Sequence, residues 1–182
     1  SLHLGRISGY NWIFPGRLRF PFGENSAEAF NLSLYDFDAI FASHAYFGRN
    51  ATQDEFRVVL IGDSSVWGTL LRPEQTIAGQ LNGLTLTTCD GKPVRFYNLG
   101  YPSLSLTKDL IILDEALKQK PDMILWFVTL ESFPRQVQFS TPVVANNPAR
   151  VDGLVQKYNM TNQPDESSLI HPTFLEKTLI GK

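Results

Sequence analysis

The sequence holds one cysteine, Cys89, among 182 residues, so no internal disulfide can brace it. A single cysteine suits a reducing compartment and equally an exported domain that needs no staple. It is expected to serve as a small core residue. A basic excess is also missing. Sixteen Lys and Arg stand against 18 Asp and Glu, a net charge of −2, which argues against a nucleic-acid partner and gives no sign of electrostatic attachment to an acidic membrane. No apolar run reaches the roughly 18 residues that span a bilayer. No basic segment followed by an apolar one opens the chain, as a signal peptide would. Membrane association is therefore expected only through segments outside this sequence. His, Cys and carboxylates nowhere cluster at metal-ligand spacing, so neither a metal nor a cofactor is expected. Repeats and low-complexity tracts are lacking too.

What is present is ordinary globular material, 43% hydrophobic and 19% charged, in a length that suits one domain with a real core. Residues 1–50 read as an irregular N-terminal segment packed on the domain. Residues 1–25 are rich in Gly, Pro, Arg and aromatics. Leu32 and Leu34 alternate, and from Asp36 on, Phe37, Ile40 and Phe41 are spaced for a short helix. Residues 51–182 read as an α/β domain. The chain opens in mid-phrase, and we expect it to be a portion of a longer protein.

In the middle of the chain, strand and helix alternate. Phe56 to Ile61 is nearly unbroken apolar strand. RPEQTIAGQLNG is expected as a helix that starts at Pro73 and stops at Asn82-Gly83. A tight turn at Asp90-Gly91 precedes a second strand, Val94 to Asn98. SLSLTKDLIILDEALKQK is the strongest helical stretch, with Leu106, Leu110, Leu113 and Leu117 as its apolar stripe. Met123 to Val128 reads as a third buried strand, and Asn147-Pro148 as a helix start. A late helix is expected after Pro172. Strands this apolar belong to a parallel sheet covered on both faces. Ligands of such sheets bind beyond the carboxyl ends of the strands. Here those ends read GDSS, NLGYPS and TLES.

The turn GDSS admits several chemistries. A phosphate loop needs Lys before its Ser or Thr, and Thr69 stands where that Lys belongs. The three spaced glycines of a dinucleotide site are not there. An aspartyl-phosphate phosphatase would carry a second Asp at the place of Ser65. A nucleophilic serine fits better: Ser64 lies just past a buried strand at the mouth of a helix, where backbone N–H groups can meet a developing oxyanion.

Residues 56–133 resemble the SGNH/GDSL hydrolase family. FRVVLIGDSSVWG is similar to its first block, VRFYNLGYPS to its second, and PDMILWFVTLESF takes the place of its third. The resemblance implies a three-layer α/β/α sandwich of flavodoxin-like type and ester hydrolysis or acyl transfer. The substrate would be a small-molecule or polymer ester, such as a lipid or an acetylated glycan. It implies Ser64 as nucleophile, with Gly100 as a second oxyanion donor and Asp63 bracing the turn. Ser65 is the alternative nucleophile. Asp63, Asn98, Ser103 and Glu131 are expected to border the substrate. Relatives of this layout often work outside the cytoplasm, tethered to a membrane.

The match breaks in two places. Glu131 stands where the family carries an oxyanion-donating Asn. The expectation is that it is protonated by burial, points elsewhere, or serves different work. The family's late Asp-x-x-His has only His171 to offer, with Ser168 in the Asp place. His171 is either the base or a cap-region residue before Pro172, and in the second case the true Asp and His lie beyond Lys182. Two functions therefore stand: a serine esterase or acyltransferase, and a non-catalytic binding domain of the same type.

Overall fold

The computed structural model describes residues 23–24, 35–48, 54–160 and 169–170. Residues 1–22, the alternation at Leu32 and Leu34, His171 and the late helix after Pro172 lie outside them. Three strands, β1 (Phe56–Ile61), β2 (Val94–Asn98) and β3 (Met123–Trp126), form a parallel sheet in the order β2-β1-β3. Val58 lies opposite both Phe96 and Met123, which fixes the register on each side. The domain is thus mixed α/β around a parallel sheet, as expected.

The period-two pattern of β1 explains why this strand is central. Val59 and Ile61 enter a cluster with Tyr97, Ile111, Ile112, Val143 and Val151. Val58 and Leu60 enter a separate cluster with Val66 and Ala78. The larger cluster also takes in α1 (Phe37–Ser43) and α2 (Ala45–Gly48). Asp36 caps α1 by accepting from the N–H groups of Asp38 and Ala39. A helix of this length is unstable alone. Burying Phe37, Ile40 and Phe41 contributes about 1.5–3 kcal/mol each, which decides that it forms.

Two local expectations give way. The helix expected from Pro73 is divided into a 3-10 turn, Pro73–Gln75, and α4 (Ile77–Gly83), which follows α3 (Ser64–Trp67). The break is Thr76, whose hydroxyl accepts from the Gly79 N–H and restarts the helix. Cys89, expected in the core, is exposed beside the turn at Asp90-Gly91.

The long helix α5 (Leu106–Leu117) forms where expected but buries a different face. Thr107, Lys108, Asp109, Ile111, Ile112 and Ala116 face inward, and Leu117 is exposed. Three further helices, α6 (Val137–Ser140), α7 (Pro142–Ala145) and α8 (Pro148–Tyr158), follow β3. Asn147 precedes α8 as expected, yet its amide donates to the Tyr35 and Val143 carbonyls and caps nothing.

The two sheet edges differ. On the outer side of β2, the Asn82 amide donates to the Phe96 carbonyl and accepts from the Phe96 N–H, taking the place of a strand neighbour. Among the described residues nothing pairs with the outer side of β3. Met123 and Trp126 are exposed there, so β3 is not the buried strand its composition suggested.

Arg57 ties the amino end of β1 to the carboxyl end of α5. Its guanidinium donates to the carbonyls of Gln119 and Lys120 and lies 5.8 Å from the centre of the Tyr46 ring. Burial pushes the Tyr46 phenol up to about 12, with the Arg57 charge acting the other way. Burial raises Tyr101 further still. For a phenol held neutral by the fold, the stabilisation is complete below its unfolded value of about 10. It is lost as the pH rises through the folded value, near 12 for Tyr46. An alkaline titration followed by phenolate absorbance is expected to show two tyrosines ionising late, together with unfolding. Ionisation of all tyrosines near pH 10 in the folded protein would contradict this burial.

Candidate functional site

The three strands end on a common edge, and the chain reverses direction across the sheet between β2 and β3. Crevices form at such switch points, beyond the carboxyl ends of the flanking strands. The turn after β1 begins at Gly62, where an added Cβ would lie 2.7 Å from a Val66 methyl and 3.0 Å from the Phe127 carbonyl oxygen. The turns after β1 and β3 are therefore in contact.

Asp63 organises this turn. It is the N-cap of α3, and its Oδ1 accepts from the Ser65 N–H at 2.8 Å and from the Ser65 hydroxyl at 2.7 Å. The bracing role that the sequence suggests for Asp63 is visible in these bonds. They also separate the two serines. Both serines are exposed, but the Ser65 hydroxyl is committed to Asp63, whereas that of Ser64, the first residue of α3, has no hydrogen bond among the described residues. The four-residue helix stops at Gly68, whose φ of 85° is in the left-handed region where a side chain would be strained.

The turn after β2 is stitched to the first. Leu99 N–H donates to the Leu60 carbonyl, and Tyr101 N–H to the Gly62 carbonyl at 2.9 Å. Asn98 is buried. Its amide donates to the Val66 carbonyl at 2.7 Å and its Oδ1 accepts the Gly100 N–H at 2.9 Å. Asn98 thus holds α3 and the NLG turn together, a structural task. The Gly100 N–H, implied as an oxyanion donor by the sequence resemblance, is buried and already spent on Asn98. The reason for glycine here is room: an added Cβ would sit 2.4 Å from the Trp67 backbone nitrogen.

Beneath both turns lies a pair that sequence reasoning missed. Lys108 is fully buried on the first turn of α5, and its ammonium donates to the carbonyls of Gly62 at 2.9 Å and Tyr101 at 3.1 Å. It pairs with Asp109 Oδ1 at 2.6 Å. Asp109 Oδ2 in turn accepts from the Trp126 indole N–H at 3.0 Å, at the end of β3. One dipeptide therefore joins the carboxyl ends of all three strands. Burial lowers the Lys108 pKa from the ordinary lysine value, while the Asp109 and Asp63 carboxylates oppose that shift. A usable signal was present in the sequence. Lys108 lies three and four residues before Ile111 and Ile112, so helical geometry puts it on their face.

The third segment contributes less. Glu131 stands exposed on a 3-10 turn, Leu130–Ser132, and so lacks the buried setting that was one of the expectations for it. Ser103 is half-buried. Its N–H donates to the Tyr101 carbonyl at 2.7 Å, and its hydroxyl has no partner among the described residues. Trp67 is core and Trp126 is partly exposed on the sheet edge. His44, the one histidine among the described residues, is buried with Nδ1 3.3 Å from the Glu24 carboxylate. Two cavities, of about 280 and 320 Å³, flank this part of the molecule, and Ser64 lines neither.

Comparisons with family models, with curated proteins and with solved structures found no match.

Proposed function

We propose that this chain carries an SGNH/GDSL-like serine hydrolase or acyltransferase site, with Ser64 as nucleophile, in a three-layer α/β/α sandwich of flavodoxin-like type. The observation that carries the reading is the division of labour in the GDSS turn. Asp63 takes the Ser65 hydroxyl, while the Ser64 hydroxyl, on an exposed residue just past the central strand, makes no hydrogen bond among the described residues. Ser64 Oγ attacks the carbonyl carbon of an ester, and its proton passes to a general base, for which the family pattern offers His171. The alkoxide leaves with that proton. Water or an acceptor hydroxyl then releases the acyl group from Ser64.

A second reading, a non-catalytic binding domain, is favoured by two observations. The Gly100 N–H is engaged by Asn98, and Glu131, which the family resemblance sets in the place of an oxyanion donor, is an exposed carboxylate. One lost donor of this kind costs about 2.7–4 kcal/mol of transition-state stabilisation.

A fluorophosphonate probe separates the readings, because it reacts only with an activated serine. Labelling is expected at Ser64. It should vanish in Ser64→Ala and persist in Ser65→Ala, with the labelled peptide located by mass spectrometry. Absence of labelling in a folded sample, or labelling that survives Ser64→Ala, would overturn the hydrolase reading in favour of the binding domain.

A further inference from the structure

We infer that the cavity between α5 and the segment after β3 binds a single-chain anionic amphiphile, an alkyl chain ending in a carboxylate or phosphate. The cavity measures about 320 Å³, at the small end of the ~300–1,000 Å³ typical of ligand pockets. That is room for one alkyl chain and too little for a bulky ligand. Its walls are Leu106 and Leu110 from α5, Phe133 after the 3-10 turn, Phe139 from α6, and Met160 after α8. All five are apolar, and Leu110, Phe139 and Met160 are continuous with the main core.

The polar groups at this cavity are of two kinds. Gln138 is spent on building the wall. Its Nε2 donates to the Ser132 and Pro134 carbonyls, and its Oε1 accepts from the Thr107 N–H and hydroxyl. Those four bonds clamp the segment carrying Phe133 onto the first turn of α5, so the cavity is formed without a ligand. Arg135 is different. It lines the cavity, is exposed, and among the described residues its guanidinium pairs with no carboxylate. An apolar box with one unpaired cation selects a ligand with an apolar body and one negative end. A cation or a sugar would leave either the charge or the walls unmatched. Arginine suits carboxylate and phosphate alike, through its planar fork of donors.

This site is independent of Ser64, and it is tested with ligands that contain no ester. The whole chain is titrated with cis-parinaric acid, whose fluorescence rises in an apolar site, and the probe is then displaced. Dodecanoate and dodecyl phosphate are expected to compete, with dodecanol about tenfold weaker because it lacks the charge. Arg135→Gln should weaken both anions to the level of dodecanol and leave dodecanol unchanged. Phe133→Ala should weaken all three. Phe133 is 57% exposed, so its removal leaves the core intact. Competition by one anion alone also supports the proposal and identifies the source as a free fatty acid or a phosphate monoester. The proposal fails if the probe shows no saturable binding, if dodecanol competes as well as the anions, or if Arg135→Gln changes nothing. It fails too if sedimentation shows a dimer whose dissociation alone opens the site, since the occupant is then a second copy of the chain.

Discussion

Lys108→Met is expected to destabilise the protein by about 3–5 kcal/mol, the usual cost of removing one partner from a buried ion pair. Methionine matches much of the volume of the lysine stem, so the loss is confined to the ammonium group. Three things go at once: the bonds to the Gly62 and Tyr101 carbonyls, and the counter-charge of Asp109. The carboxylate left behind is almost fully buried and, among the described residues, keeps only the Trp126 indole N–H as donor. The double variant Lys108→Met, Asp109→Asn should recover most of the loss, because no unpaired charge is then buried. Urea unfolding of the two variants beside the parent measures this. A single variant within about 1 kcal/mol of the parent would mean that the pair is hydrated or open. If both variants are equally unstable, the carbonyl bonds matter more than the charge.

Gly100→Ala is the second large effect, and its cause is steric. The new Cβ would lie 2.4 Å from the Trp67 nitrogen, 2.9 Å from the Trp67 Cα and 2.9 Å from the Val66 carbonyl carbon. All three are backbone atoms, so no side chain can swing aside. Either α3 lifts from the NLG turn or that turn retreats and breaks the Asn98 bonds. The expected cost exceeds the ~1–3 kcal/mol of ordinary overpacking. Gly91→Ala provides the contrast. That glycine has a φ of 84° but open space around it, so only the conformational cost of about 1–2 kcal/mol applies. Denaturation midpoints for the two variants rank them directly. If Gly91→Ala proves the costlier, the packing of α3 on the NLG turn is wrong.

Both variants act on the same small region, and this bears on the proposed chemistry. The exposed serine is carried by a helix of only four residues. Such a helix cannot hold its own geometry. Its position comes from Asp63 at one end, Asn98 through the Val66 carbonyl at the other, and the Lys108 ammonium under the preceding glycine. A change at any of these is therefore expected to act on Ser64 reactivity through placement, without touching the reacting atoms.

How much of this was legible differs from element to element. β1 and β2 could be read because their apolar runs end in turn residues, and α1 because Asp36 caps a pattern of Phe37, Ile40 and Phe41. The bracing role of Asp63 came only through the family resemblance of the GDSS turn, although a carboxylate at a helix start has backbone donors within reach. The face of α5 was misread. Counting leucines at helical spacing selects Leu106, Leu110, Leu113 and Leu117, and a buried lysine and aspartate are invisible to a count of apolar residues. The fate of the Gly100 N–H was hidden as well, since it depends on where the Asn98 side chain turns.

What the sequence determined by itself is local. It set the strands and their polar ends, most helix starts, the exclusion of a disulfide, and the presence of a serine in a strand-to-helix turn. These follow from interactions between residues a few positions apart, which pattern and capping rules capture. Tertiary structure alone decided how the short helix carrying Ser64 is held against the NLG turn, through the Asn98 amide on the Val66 carbonyl. It also decided which face of α5 meets the sheet, and that β3 lies at an exposed edge. Each of those depends on atoms distant in the chain meeting at one place, and the ammonium of Lys108 on the carbonyl of Gly62, 46 positions away, is the plainest case.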